Sequence, residues 1–140
     1  MSTTLTQQKM SMRQIWKAGA VAAVVSAVVN AMLFFIGAAL GAFPETVIIP
    51  NAGGPMTIMP VIVASIIGVL GATLVYLGLN QFTKNPNFLF RIVAIVVLVL
   101  SFATPFSIPG APFAMILILE LMHVVPAVAA IYMLTSNVKI

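Results

Sequence analysis

Four continuous apolar runs dominate the chain, separated by short breaks rich in Pro, Gly and Asn, and none of them alternates with period two. Crossing a hydrocarbon core of roughly 30 Å takes about 20 helical residues, so the runs predict spanning helices at about 15–40, 56–79, 88–106 and 113–134. A membrane barrel would require alternating strands, so the pattern predicts an all-α membrane protein built as a four-transmembrane-helix bundle. Pro112 suits a first helical turn, where a missing N–H costs nothing. Asn80, Asn85, Pro86 and Asn87 predict a turn between the second and third spans.

Composition narrows the class further. Of 140 residues, 62% are hydrophobic and only 6% are charged, which is far from a soluble domain. The polar breaks are too short to bury a core of their own, so residues 1–140 are expected to form a single membrane domain with a short polar tail over residues 1–12. The first run is much longer than the apolar core of a secretory signal, which predicts a retained helix. Without cysteine, disulfides, thiolate metal sites and thiol catalysis are excluded. The net charge of +4 comes from scattered basic residues, which argues against a nucleic-acid partner.

Those basic residues set an orientation. Lys9, Arg13 and Lys17 precede the first run, Lys84 and Arg91 flank the second turn, and Lys139 follows the fourth run. The positive-inside rule then predicts both termini in the cytoplasm and a multi-pass protein of the inner (plasma) membrane. Trp16, Tyr76 and Tyr132 fall at the same ends of their spans, where amphipathic rings prefer the headgroup level.

The two outer connections resemble one another. Each holds Ile-Pro, a small-residue turn, and Pro before an apolar residue: Ile49-Pro50 to Pro55-Met56, and Ile108-Pro109 to Pro112-Phe113. Two parallel helical hairpins related by an axis along the membrane normal would read this way, as would prolines punctuating two unrelated turns. The first connection also contains Glu45 and an apolar segment, Thr46 to Ile49, which reads as a solvated loop with some apolar contacts or as a segment lying over the bundle mouth or in the interface, with Glu45 an ordinary exposed acid in the first case.

Candidate chemistry concentrates in the fourth run. Glu120 and His123 are the only ionisable side chains in the middle of any run, and their spacing puts both on one helix face. Counting about 1.5 Å per residue places Glu120 roughly 10 Å and His123 roughly 15 Å below the outer surface of the core. A carboxylate at the bilayer centre costs on the order of 3 kcal/mol, so an intramembrane acid is read as functional or as a specific bonding contact. Side by side, the two groups could share one proton, which is what a relay requires. Pro126, one turn further on, frees the carbonyl of Met122 and can open space by kinking the helix.

Asn30, Ser65 and Ser101 fall at comparable depth in the other spans, and Ser26 shares a face with Asn30, so a polar pocket or a set of interhelical hydrogen bonds is expected. Gly37 with Gly41, and the stripe of Ser65, Gly68 and Ala72, are candidate packing contacts that let helix backbones approach. Glu-Xaa-Xaa-His also occurs in di-iron bundles, where two copies meet further glutamates. A single copy, with Glu45 as the sole other acid, predicts no metal and no cofactor.

The last run, Glu120-Leu121-Met122-His123-Val124-Val125-Pro126-Ala127, together with four short helices and proline-rich outer turns, resembles a family of small bacterial four-helix membrane proteins known only as a domain of unknown function. The resemblance implies a bacterial multi-pass protein and supplies no activity. The residues leave three functions open. The first is a non-enzymatic membrane protein that forms a homo-oligomer or serves as a subunit of a membrane complex. The second is a small proton or cation channel or transporter using Glu120 and His123. The third is a protein that binds a lipid, a quinone or a cofactor. Hydrolysis is disfavoured, because one His and two acids leave few ways to assemble nucleophile, base and orienting group.

Overall fold

The computed structural model describes residues 9–136. It is all helical: α1 (Met12–Ala39), α2 (Ile58–Phe82), α3 (Pro86–Ser101), the short α4 (Ala103–Phe106) and α5 (Phe113–Thr135). Four helical segments are long and apolar enough to cross a membrane, the third being α3 and α4 taken together. The two longer connections, residues 40–57 and 107–112, lie at one end of the bundle, called here the far end. The start of α1, the end of α5 and the turn at 83–85 lie at the other.

Helix boundaries follow local chemistry. At Ser11 the hydroxyl caps the N–H of Gln14 while the Gln14 side chain takes the N–H of Ser11, so α1 begins at Met12, three residues earlier than hydropathy alone suggests. The far end of α1 closes with Gly41 at φ 70°, where the N–H of Gly41 bonds the Ala38 carbonyl at 3.0 Å and that of Ala42 bonds Gly37 at 2.9 Å. This is a Schellman closure, and it requires the left-handed backbone that glycine adopts freely. Gly41 therefore terminates a helix and leaves its expected packing pairing with Gly37 unformed.

The third span is divided where a continuous helix was expected over 88–106. Pro105 has no N–H to give the Ser101 carbonyl and its ring crowds that turn, so α3 stops at Ser101 and α4 resumes after Phe102. Asn80 lies inside α2, and Pro86 and Asn87 form the first turn of α3, so the turn shrinks to residues 83–85.

Packing is uneven. Along α1 the buried positions are mostly small: Ala18, Gly19, Ala22, Ala23, Ser26 and Gly37, with Asn30 among them. This stripe seats α1 against α2 and α5, and α3 attaches to the other side through only two buried residues, Pro86 and Phe90. Near the termini, Ile15, Tyr76, Phe90 and Leu134 form one core. At the far end, Val47 folds over Val61, Met115, Leu119 and Met122 to form another. Segment 46–49 thus lids the bundle, fixed by a bridge between Ile49 and Gly54, while Glu45 stays exposed. Tyr76 departs from its expected headgroup position: it is 1% exposed, meets Phe90 edge to face at 5.2 Å, and its hydroxyl bonds the Asn87 side chain. Trp16 and Tyr132 remain at the surface.

Candidate functional site

Between the two cores, on the side of α3, the helices fail to close. Ala64, Gly68 and Ala72 of α2, Ala94 of α3, and Ala127 and Ala130 of α5 are too small to fill the gap, which leaves a partly open cavity of about 410 Å³. The stripe of Ser65, Gly68 and Ala72, expected to bring backbones together, lines this void. A Cβ placed on Gly68 would meet nothing within 4 Å. Close approach occurs elsewhere. A Cβ on Gly19 would strike Thr73, coming within 2.7 Å of its Cγ2, and one on Gly37 would come within 2.7 Å of Phe43 and 2.8 Å of Ile118.

The polar side chains on the cavity wall are Asn30, Ser65, Ser101, Thr104 and His123. Asn30 is 2% exposed and ties three helices together. Its Nδ2 donates to Ser65 Oγ at 2.9 Å and to the Met122 carbonyl at 2.9 Å. That carbonyl is the one Pro126 leaves without its helical N–H, so an amide on α1 satisfies the break in α5. Ser65 passes its own proton to the Val61 carbonyl at 2.7 Å, and Ser101 donates to Leu98 at 2.7 Å. Asn30 Oδ1, by contrast, is buried and has no partner among the described residues. Ser26 is buried but bonds only Ala22 of its own helix, so it joins no neighbour.

The structure separates the two ionisable groups. His123 turns its Nδ1 back to the Leu119 carbonyl at 2.7 Å and lines the cavity with Pro126. Glu120 does not line it: three residues along a helix rotate a side chain by about 60°, enough here to take Glu120 off the wall. Both Glu120 carboxyl oxygens are buried without a hydrogen-bond partner among the described residues, and no bond joins the two side chains. Among the described residues no group of three or more His, Cys, Asp or Glu could hold a metal ion.

A second polar cluster near the termini was not singled out by the sequence pattern. Asn87 Nδ2 donates to the Thr135 carbonyl at 3.1 Å, and Arg91 donates twice to Thr135 Oγ1, at 3.1 and 3.0 Å. Asn80 reaches the Met10 carbonyl at 3.1 Å. Asn87 and Arg91 thus tie α3 to α5 at one end, Tyr76 ties α2 to α3 there through Asn87, and Asn80 holds α2 to Met10, just before α1. The available signal was an Asn-rich turn followed by Arg one helical turn later, and it reads equally as a plain solvated loop. Gly19 and Thr73 were also missed, though Gly19 and Ala23 are spaced as a small-residue pair.

Four apolar spans and a bundle seamed by small residues define a small polytopic membrane protein, with a partly open cavity among α2, α3 and α5. The chain belongs to the family of unknown function DUF6069, whose model matches residues 10–139. No curated protein and no solved structure matches the chain.

Proposed function

We propose that this is a non-enzymatic membrane protein that binds a lipophilic molecule in the cavity between α2, α3 and α5. The observation that carries this reading is the void of about 410 Å³, apolar over nearly all of its wall, with an unpaired buried acceptor on Asn30. Ligand sites have this character: roughly 300–1,000 Å³, mostly apolar, with a few polar groups that fix orientation. A void in the core of a bilayer is also bathed in candidate ligands. The geometry supports a proton or cation pathway less well, because Glu120 lies off the cavity wall and makes no hydrogen bond to His123.

The test uses the full chain extracted in native-lipid discs. A lipophile should co-purify in near-stoichiometric amount, by mass spectrometry of the extract, and should be lost from Gly68→Leu, which places a side chain in the void. Identical lipid profiles for the two proteins would remove this reading.

The distribution of Lys and Arg supports a plasma-membrane protein with both termini in the cytoplasm. In that orientation the cavity runs from the outer connections, at Ile49, Met56 and Ile108, past the middle of the spans to Ala72, Ala94 and Ala130. A second reading, as a homo-oligomer or a subunit of a larger membrane complex, is supported by α3, which buries only Pro86 and Phe90 against its own chain and leaves the face of Ile92, Ile95, Val96 and Val99 to lipid or to a neighbour. Cross-linking in the membrane through single cysteines along that face would detect such a neighbour; monomers at every position would exclude it.

A further inference from the structure

The polar atoms of the cavity wall have a common sense. Asn30 can be oriented in only one way, because the Met122 carbonyl accepts and Ser65, having given its proton to Val61, also accepts. Both neighbours demand the amide NH₂, so Oδ1 is fixed on the remaining side, buried and without a donor. His123 obeys the same logic. A carbonyl can only accept, so the 2.7 Å contact to Leu119 puts the proton on Nδ1. In the neutral ring Nε2, at the opposite edge, is then an acceptor with no partner among the described residues. Ser65 and Ser101 have both spent their protons on carbonyls of their own helices. Of the three hydroxyls on the cavity wall, that of Thr104, at the exposed rim, makes no hydrogen bond among the described residues.

Resting on the reading of the cavity as a ligand site, we infer that its ligand is a lipophile with a hydrogen-bond-donating head, a hydroxyl carried on an apolar body, and that molecules whose heads only accept are disfavoured. Long-chain alcohols, diacylglycerols and hydroquinones share this chemistry; ethers, esters and quinones lack it. Depth makes the distinction matter. Asn30 lies nine residues from the end of α1 and His123 ten residues into α5. Both are therefore roughly 14–15 Å from the far-end helix termini, near the bilayer midplane. Water is scarce at that level, so an acceptor-only head would leave the His123 Nε2 unsatisfied and lose its own hydration as well.

The probes are 1-dodecanol and dodecyl methyl ether, each with a photoreactive diazirine at the chain end, applied to the full chain in phosphatidylcholine nanodiscs. Saturable labelling of peptides from residues 60–72 and 94–105 is quantified by mass spectrometry. Dodecanol should half-saturate at roughly tenfold lower concentration than the ether, the size expected for one hydrogen bond. His123→Phe should narrow that gap by raising the half-saturation concentration of dodecanol more than that of the ether. The His123 bond to Leu119 lies within one helix, so this variant removes no hydrogen bond between helices. Gly68→Leu should abolish saturable labelling by both probes. Equal half-saturation for alcohol and ether, with labelling still lost in Gly68→Leu, would overturn the donor-head inference and leave the cavity a binding site. Labelling that is not saturable for either probe would overturn both readings.

Discussion

Gly19 and Gly68 are both glycines in the middle of long apolar helices, and they do opposite things. Gly19 lets α1 approach α2 so closely that its absent Cβ would collide with Thr73, whose hydroxyl is held by the Val69 carbonyl at 2.8 Å. Gly68 faces the cavity, and its absent Cβ would touch nothing. One side of α2 is thus a closed seam and the other an open wall. In a bilayer, where lipid is as apolar as leucine, helices are held by close packing and hydrogen bonds. The α1 seam supplies both, through its small residues and Asn30, while the α3 side is fastened mainly near the termini by Asn87, Arg91 and Thr135. A bundle fastened at one end and sealed along one seam can leave a gap in its remaining side.

That contrast can be broken most sharply at the seam. Gly19→Val should cost about 3 kcal/mol of stability by overpacking, read as lost resistance to unfolding in mixed detergent micelles, and Thr73→Ala in the same chain should restore part of it. Additive losses would show that the two side chains do not meet. Next in size is Asn30→Leu, expected to cost about 2 kcal/mol, since it strands the Met122 carbonyl at the proline break and removes a bond to Ser65. If Asn30 merely touched lipid, the same assay would register a gain. Glu120→Leu should move stability the other way, by about 1 kcal/mol, because two buried carboxyl oxygens without partners are replaced by a side chain with none to satisfy. A large loss there would reveal a partner for Glu120 outside this chain. The smallest effect belongs to Gly68→Ala, within about 1 kcal/mol of the natural chain and favourable in sign, since a helical glycine gains from a methyl group that collides with nothing. The ordering Gly19 far above Gly68 is the comparison itself; equal costs would dissolve it.

Much of the architecture is legible in the chain. Four spans, the turn between the second and third, and the proline signal at Pro112 all follow from hydropathy and local backbone chemistry. The carbonyl freed by Pro126 was also legible, but its partner was not, because Asn30 is 92 residues away from Met122. Glycine spacing proved the least informative signal. Gly37 packs, Gly41 closes a helix, Gly68 faces a void, and one residue type at similar spacing serves all three. The Glu120 and His123 spacing places two side chains on neighbouring faces, and a separation of about 60° is enough for one to line a cavity and the other to miss it.

What the sequence by itself determined is what needs no distant partner. Long apolar runs force helices, because backbone polar groups must be satisfied within each segment once water is gone. Capping at Ser11, closure at Gly41 and the break before Pro105 are equally local. Only the tertiary structure decided which small residues become contacts and which become a cavity wall, and which acceptors are left unpaired. Those outcomes depend on how whole helices are rotated and spaced, which the weak and nearly uniform attraction between apolar surfaces in lipid leaves to a few remote contacts such as Gly19 on Thr73 and Asn30 on Met122.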